Sequence, residues 1–495
     1  MAKTLLALGL LLLGAAPAAS PSFALSAGAS EGKPNILWIV VDDMSANFGC
    51  YGEKTIETPQ LDRLAREGTR FSKAFTTAPV CSPSRSALIT GMYQTSIGAH
   101  HHRSGRGTDK IRLPAGVETV PAQFRRAGYF TSIGSWPMTK AQGKTDYNFE
   151  WDKADYDSSD WADRKAGQPF FAQVQLHGGK HRDGRGLSEA VKKAVGTPTS
   201  PDAVKLPPYY PDDPVIREDW ARYLDAVRYT DLQVGQILKR LEEEGSSGKT
   251  LVFFITDHGI SHARGKQFLY DEGVHIPLVV RGPGVAAGAV RNDLVEHLDL
   301  AASSLAAAGI AIPKGMQSRD ILAKDYRPRE TVFAARDRCD ETVEHLRMAR
   351  TSKWKYVRNF LPKRPHLQPN AYKDGKPTVR RLRELHDGGK LAGLPEQLLF
   401  APERAPEELY DLEADPFEVR NLAADPSHES ALKEMRGRLD RWMEETADQG
   451  RVPESATRYD SDMAVYLSEL SKSPDRLKIL QENIALMKKW AAEGK

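Results

Sequence analysis

The chain has 495 residues, 40% of them hydrophobic and 27% charged, which is enough apolar material for a sizeable core and excludes global disorder. Its 69 Lys and Arg stand against 66 Asp and Glu, a net charge of +3, so no whole-molecule field points to a nucleic-acid partner. The length suits about two to four domains, or one large α/β domain with an appendage.

Lys3 precedes "LLALGLLLLGAAPAA", an apolar run of signal-peptide length that is too short for a comfortable membrane span. Ala24 and Ser26 stand at the −3 and −1 positions before Ala27, so a signal peptide is expected over residues 1–26. No later stretch is apolar enough to span a bilayer. The expectation is a periplasmic or secreted protein with no stable membrane association. Its three cysteines, Cys50, Cys81 and Cys339, do not resemble a disulfide framework, so stability must come from the core. An odd number leaves at least one of them outside any intramolecular disulfide.

"NILWIVVDD" follows Pro34 as a continuous apolar run and reads as a buried parallel strand ending in Asp42 and Asp43. "TPQLDRLAREG" predicts a helix with Thr58 as N-cap, Pro59 in its first turn and Gly68 as its stop. Further buried strands are expected over 170–176, 250–256 and 276–281. A long amphipathic helix is expected over "IREDWARYLDAVRYTDLQVGQILKRLEEEG". Strands alternating with helices predict an α/β domain with a mostly parallel sheet, which gathers ligands outside the carboxyl ends of its strands. Asp257 and His258 end a second such strand.

Beyond about residue 345 the texture changes. "SKWKYVRNF" reads as a strand and "EELYDLEADPFEVRNLA" as a turn-rich acidic segment. Residues 361–385 are polar and basic, with Lys363, Arg364, Lys373, Lys376, Arg380, Arg381 and Arg383, and the chain ends in an amphipathic helix. The expected division is a main domain over 33–345 and a smaller C-terminal subdomain with a helical tail over 346–495.

Two adjacent aspartates at a strand end are expensive to bury as anions unless a cation compensates them. Hard oxygen ligands suit Ca²⁺ or Mg²⁺ rather than Zn²⁺. "TDHG" at 256–259 is a second signal of the same kind at another strand end.

"VCSPSRSALITG", residues 80–91, resembles the type I sulfatase signature, Cys-x-Pro-x-Arg followed by a Leu-Thr-Gly ending, through Cys81, Pro83, Ser84, Arg85, Leu88, Thr90 and Gly91. "NILWIVVDD", "TDHG", "GKQFLYDEGVHIPLVVRGPG" and "EELYDLEADPFEVRNLA" are similar to further landmarks of that family, so the resemblance covers most of the chain. It implies an alkaline-phosphatase-like α/β/α sandwich with a mostly parallel central sheet, plus a smaller C-terminal α+β subdomain.

In that family the cysteine is oxidised to formylglycine, whose hydrate offers one hydroxyl to attack sulfur and a second that expels sulfate as the aldehyde re-forms. The resemblance thus implies a formylglycine from Cys81, made by a formylglycine-generating or an anaerobic sulfatase-maturing enzyme. It implies metal ligands Asp42, Asp43, Asp257 and His258 with modified Cys81 as the fifth, and a Ca²⁺ ion, with Mg²⁺ as the alternative. Arg85 would hold the hydrate and Lys266 would grip a sulfate oxygen.

Two positions depart from the common pattern. "GKTDYNF" favours Lys144 over Lys140 as a catalytic lysine, but no histidine follows it. After "FFAQVQL" the histidine that protonates the leaving alcohol is His177 or His181, with the strand alignment favouring His181. Three contiguous histidines in "IGAHHHRSGRG" rarely converge on one ion and read first as a polar loop. Beyond the helix that Cys81 begins, His101, His102 and Arg103 are candidate substrate contacts, as is Arg338 in "ARDRCDE". Cys50 and Cys339 read as buried free thiols.

The expected function is an exported sulfatase that hydrolyses O- or N-sulfate on a sulfated carbohydrate, with the basic 361–385 segment suited to a polyanion. A phosphomonoester, phosphodiester or phosphonate hydrolase of the same superfamily is the first alternative. A non-catalytic sulfated-glycan-binding protein is the second.

Overall fold

The strand expected at the start of the chain is β1, Asn35–Val41, and it is an interior strand of a seven-stranded sheet. The computed structural model describes residues 32–182 and 189–495, so the signal peptide expected over 1–26 lies outside the described residues. The other strands of this sheet are β2 (Thr69–Phe75), β3 (Phe130–Gly134), β4 (Phe170–Leu176), β5 (Thr250–Thr256), β6 (His275–Arg281) and β7 (Ala289–Glu296). Their order is β3-β4-β1-β5-β6-β2-β7. All neighbours pair in parallel except β6, which is antiparallel to both β5 and β2.

Why β1 carries no polar residue between Asn35 and Asp42 follows from its two faces. Leu37, Ile39 and Val41 pack into one core with the long helix Pro214–Glu243. Ile36, Trp38 and Val40 pack into another with the helices Val120–Arg126 and Asp299–Ala307, where the Trp38 indole donates to Ser304 Oγ at 2.9 Å. A sheet buried on both sides reads as a continuous apolar run. This is an alkaline-phosphatase-like layering of helices on a mostly parallel sheet.

The helix after β1 spans Pro59–Glu67 as expected, but its ends work differently. The Thr58 hydroxyl accepts from Gly49 N rather than from its own helix. Gly68 is extended, and a Cβ there would lie 2.2 Å from the Val280 carbonyl oxygen, so close approach to β6 requires the glycine.

A second sheet of four antiparallel strands, in the order β11-β10-β9-β8, is built from β8 (Val332–Arg336), β9 (Leu346–Arg350), β10 (Trp354–Asn359) and β11 (Glu407–Asp411). It takes its first strand from ahead of residue 345. The helix Glu429–Glu445 packs on it, with Trp442 stacked on Phe333 at 5.1 Å.

The basic segment 361–385 does not form the exposed cationic surface expected of it. Arg364, Lys373 and Lys376 are buried, Arg381 and Arg383 pair with Asp213 and Asp374, and only Lys363 and Arg380 of the seven are exposed. A run of like charges in sequence becomes internal wherever the fold supplies carbonyls and carboxylates. No helix among the described residues is long and apolar enough to cross a membrane.

Candidate active site

Register brings the site together. Val41 of β1 lies opposite Leu176 of β4 and Thr256 of β5. The ladder runs one step further on each side: Asp42 N donates to Leu176 O at 3.0 Å, and Asp257 N donates to Val41 O at 2.9 Å. Asp42, Asp43, Asp257 and His258 therefore leave adjacent strands at one level, at the carboxyl end of the sheet where such folds bind ligands.

Cys81 enters at the start of the buried helix Cys81–Thr90, whose amino end favours negative charge at this position. Its Sγ is 3.2 Å from His258 Nε2 and 3.9 Å from Asp43 Oδ1. His258 Nε2 lies 3.2 Å from Asp43 Oδ1 and 3.5 Å from Asp257 Oδ1.

The imidazole decides whether this donor set fits a cation. His258 Nδ1 lies 2.9 Å from the Gly259 carbonyl oxygen, which can only accept, so Nδ1 carries a hydrogen. Nε2 then faces two carboxylates, and such a group must either hold a second proton or share a cation with them. Burial opposes the charged ring, but Asp257, Cys81 and Asp43 outweigh it and raise His258 to about 10. Asp43, Cys81 and His258, all buried, have donor atoms within 4.8 Å of one another, with Asp42 and Asp257 beside them. The residues fit a divalent ion.

Cations surround the acids. Arg85 is buried, donates through Nε to Asp257 Oδ2 at 3.0 Å, and pairs with Asp42 through Nη2. Lys266 Nζ lies 3.1 Å from Asp43 Oδ1 and 3.3 Å from Cys81 Sγ. Lys144 Nζ lies 3.2 Å from Asp42 Oδ2. Burial opposes ionisation of Asp42 and Asp43, yet the cations win and hold both well below the usual carboxylate range. Burial likewise opposes a thiolate at Cys81, but Lys144, Lys180 and Lys266 bring the thiol down to about 7.

Two contacts escaped sequence reasoning. Lys180 pairs with Asp42 and stands 3.9 Å from Cys81 Sγ. Tyr372 OH donates to Asp43 Oδ2 at 3.2 Å. Lys180 is delivered by the two glycines before it: a Cβ on Gly178 or Gly179 would lie 2.2 Å from the Asp42 or Asp43 carbonyl oxygen. That Gly-Gly step was the available signal.

The same loop turns His181 elsewhere. Its ring packs edge-on against Tyr229 at 4.9 Å, and burial lowers its pKa to about 4. His177 instead lines a cavity of about 600 Å³ that opens beside Asp42, together with Lys144 and Lys180.

The three histidines of the loop are largely buried rather than solvated. His102 N donates to Arg338 O at 2.8 Å and Arg338 N donates to His101 Nδ1 at 3.2 Å, while the His102 ring meets Ser82 Oγ at 2.8 Å. Burial lowers the pKa of both rings. Arg338 is buried and donates to Glu454, Asp462 and the Asp340 carbonyl, so it braces the fold. Of the four expected substrate contacts, only Arg103 lines the cavity beside Asp42. Cys339 is a buried free thiol and Cys50 a half-buried one.

A doubly covered, mostly parallel sheet with aspartates, an imidazole, a cysteine and four cations at its carboxyl edge makes a buried, cation-rich site suited to an anionic substrate. The sulfatase family profile matches residues 34–310. An ulvan-active sulfatase of Formosa agariphila is 32% identical over 471 residues, covering 86% of this chain and 77% of that protein. A 2-O GAG sulfatase structure superposes with a TM-score of 0.60 at 20% identity, over 86% of this chain and 96% of that one. A phosphonate monoester hydrolase from Silicibacter pomeroyi superposes with a TM-score of 0.61 at 18% identity, over 84% and 96%, and likewise shares the fold. The chain belongs to the sulfatase family and is a sulfuric ester hydrolase.

Proposed function

We propose that this enzyme is exported and hydrolyses O- or N-sulfate on a sulfated carbohydrate, using Cys81 as formylglycine and a divalent ion held by Asp42, Asp43, Asp257, His258 and residue 81. The observation that carries the reading is the convergence of Cys81 with three aspartates, His258 and four cations at the edge of one sheet. The ulvan-active relative, matched over most of the chain, supports a sulfated polysaccharide, and the apolar leader of the sequence supports export.

Asp42, Asp43, Asp257, His258 and residue 81 would hold the ion, Ca²⁺ or Mg²⁺, which would supply Lewis-acid polarisation of a sulfate oxygen and lower the pKa of the nucleophilic hydroxyl. Residue 81, as a formylglycine hydrate, would supply that hydroxyl and a second one for the release of sulfate. Lys266 and Lys180 flank residue 81 and bind the anionic sulfate oxygens, where preorganised charge in a buried site stabilises the transition state. Arg85, locked between Asp42 and Asp257, fixes both carboxylates and adds a positive charge that does not titrate. The imidazole of His177, on the cavity wall, donates the proton to the leaving alcohol in place of His181.

Comparing aryl sulfate with aryl phosphate turnover tests the reading. Faster sulfate cleavage is expected. Faster phosphate cleavage would assign the site to the phosphate- and phosphonate-ester branch, and glycan binding with no turnover would make the protein a binding module.

A further inference from the structure

The cavity beside Asp42 holds more positive charge than one sulfate needs. Asp146 is buried on its wall, and three cations meet this single carboxylate. Its Oδ1 pairs with Arg106 and lies 3.7 Å from Arg103 Nε, while Oδ2 lies 3.3 Å from Lys144 Nζ. Lys144 is already paired with Asp42, so the surplus rests on the two arginines. Both line the cavity with about a third of the side chain exposed, and Arg103 Nε, though buried, has no hydrogen-bond partner among the described residues.

The backbone points the same way. Arg103 and Asp146 each adopt a left-handed conformation, with φ of 52° and 56°. Non-glycine residues rarely hold that shape, and strain of this kind clusters where a side chain must be aimed. Tyr147 and Trp151 line the same cavity edge to face, 5.5 Å apart, and give it an apolar surface for a sugar ring. Lys144 spans the two halves: one contact reaches Asp42 of the reaction centre and the other reaches Asp146.

We propose that Arg103 and Arg106 form a second anion subsite that selects substrates bearing a further anionic group, a carboxylate or a second sulfate, close to the sulfate that is cleaved. Planar guanidinium forks suit both groups through paired, charge-assisted hydrogen bonds. Asp146 is a positioning residue that holds the two forks toward the cavity. The proposal rests on the sulfatase reading of the Cys81 centre.

The test uses oligosaccharides that carry one common sulfate and differ beside it: a uronate, a second sulfate or a neutral sugar. Wild-type enzyme should favour the anionic members at least about tenfold in kcat/KM, the worth of one charge-assisted contact. Arg106→Met and, separately, Arg103→Met should each erase most of that ratio through KM, with Arg106→Lys recovering part of it. Melting curves establish that the variants fold. The two anionic arms show whether the subsite takes carboxylate, sulfate or both. An equal rate on neutral and anionic members, or a preference that survives both substitutions, would overturn the proposal. If no sulfate ester is turned over, the Cys81 reading fails separately. The subsite is then judged by calorimetry of a uronate oligosaccharide, where equal affinity for wild-type and Arg106→Met protein overturns it.

Discussion

Replacing Lys180 by methionine removes one of the three lysines that acidify Cys81 while keeping most of the side-chain volume. In unconverted, metal-free protein the thiol sits at about 7, because the lysines outweigh burial. Two unit charges 3.9 Å apart interact by about 4 kcal/mol at an effective dielectric of about 20, which is about three pH units. Lys180 is 24% exposed and shares its charge with Asp42, so solvent screening reduces the expected effect to about one unit. The sign follows from charge: loss of a cation disfavours the thiolate, so the midpoint moves up, to about 8. Thiolate absorbance in the far ultraviolet reads this directly. Cys50 is pushed up to about 12 and Cys339 lies well above its usual value, so a step between pH 5 and 9 belongs to Cys81. A midpoint unmoved in the Lys180→Met variant would refute the placement of that lysine at the site.

Two further substitutions probe the frame around the site. Arg182 donates to both carboxylate oxygens of buried Asp219 at 2.8 Å, so Arg182→Met leaves a buried charge under-compensated and should cost about 3–5 kcal/mol in denaturant unfolding. Glu272 is pushed up to about 7 by burial, so between about pH 4.3 and 7 the native state binds more protons at this group than the unfolded chain. Its contribution to stability falls as pH rises through that window, and Glu272→Gln should flatten the decline seen in thermal midpoints; an unchanged slope would contradict the assignment.

Much of the frame was legible because burial on both faces of the sheet leaves a plain trace. The runs of β1, β4 and β5 carry no charge until the strand ends, so the aspartates after β1 and β5 stood out. Register then made neighbours of Asp42 and Asp257, which lie far apart in the chain. Side-chain direction in loops was not legible. Within "HGGKHR" the choice among His177, Lys180 and His181 depends on how closely Gly178 and Gly179 approach the β1 backbone, and periodicity carries no record of that approach. Charge runs misled for a related reason. Arg338 and the 361–385 segment are cationic in sequence, but Glu454, Asp462 and Asp213, which pair with Arg338 and Arg381, come from distant parts of the chain, and Asp374 folds back on Arg383 within the segment. Asp146 is the converse case: its backbone conformation and its three cationic neighbours appear only once the loops are folded.

Peptide mass spectrometry across Cys81, paired with aryl sulfatase assays on the same preparations, tests the central claim most directly. Activity should rise in proportion to the fraction of residue 81 present as formylglycine and vanish in Cys81→Ala protein. Full activity in enzyme whose residue 81 is an unmodified thiol would contradict the account.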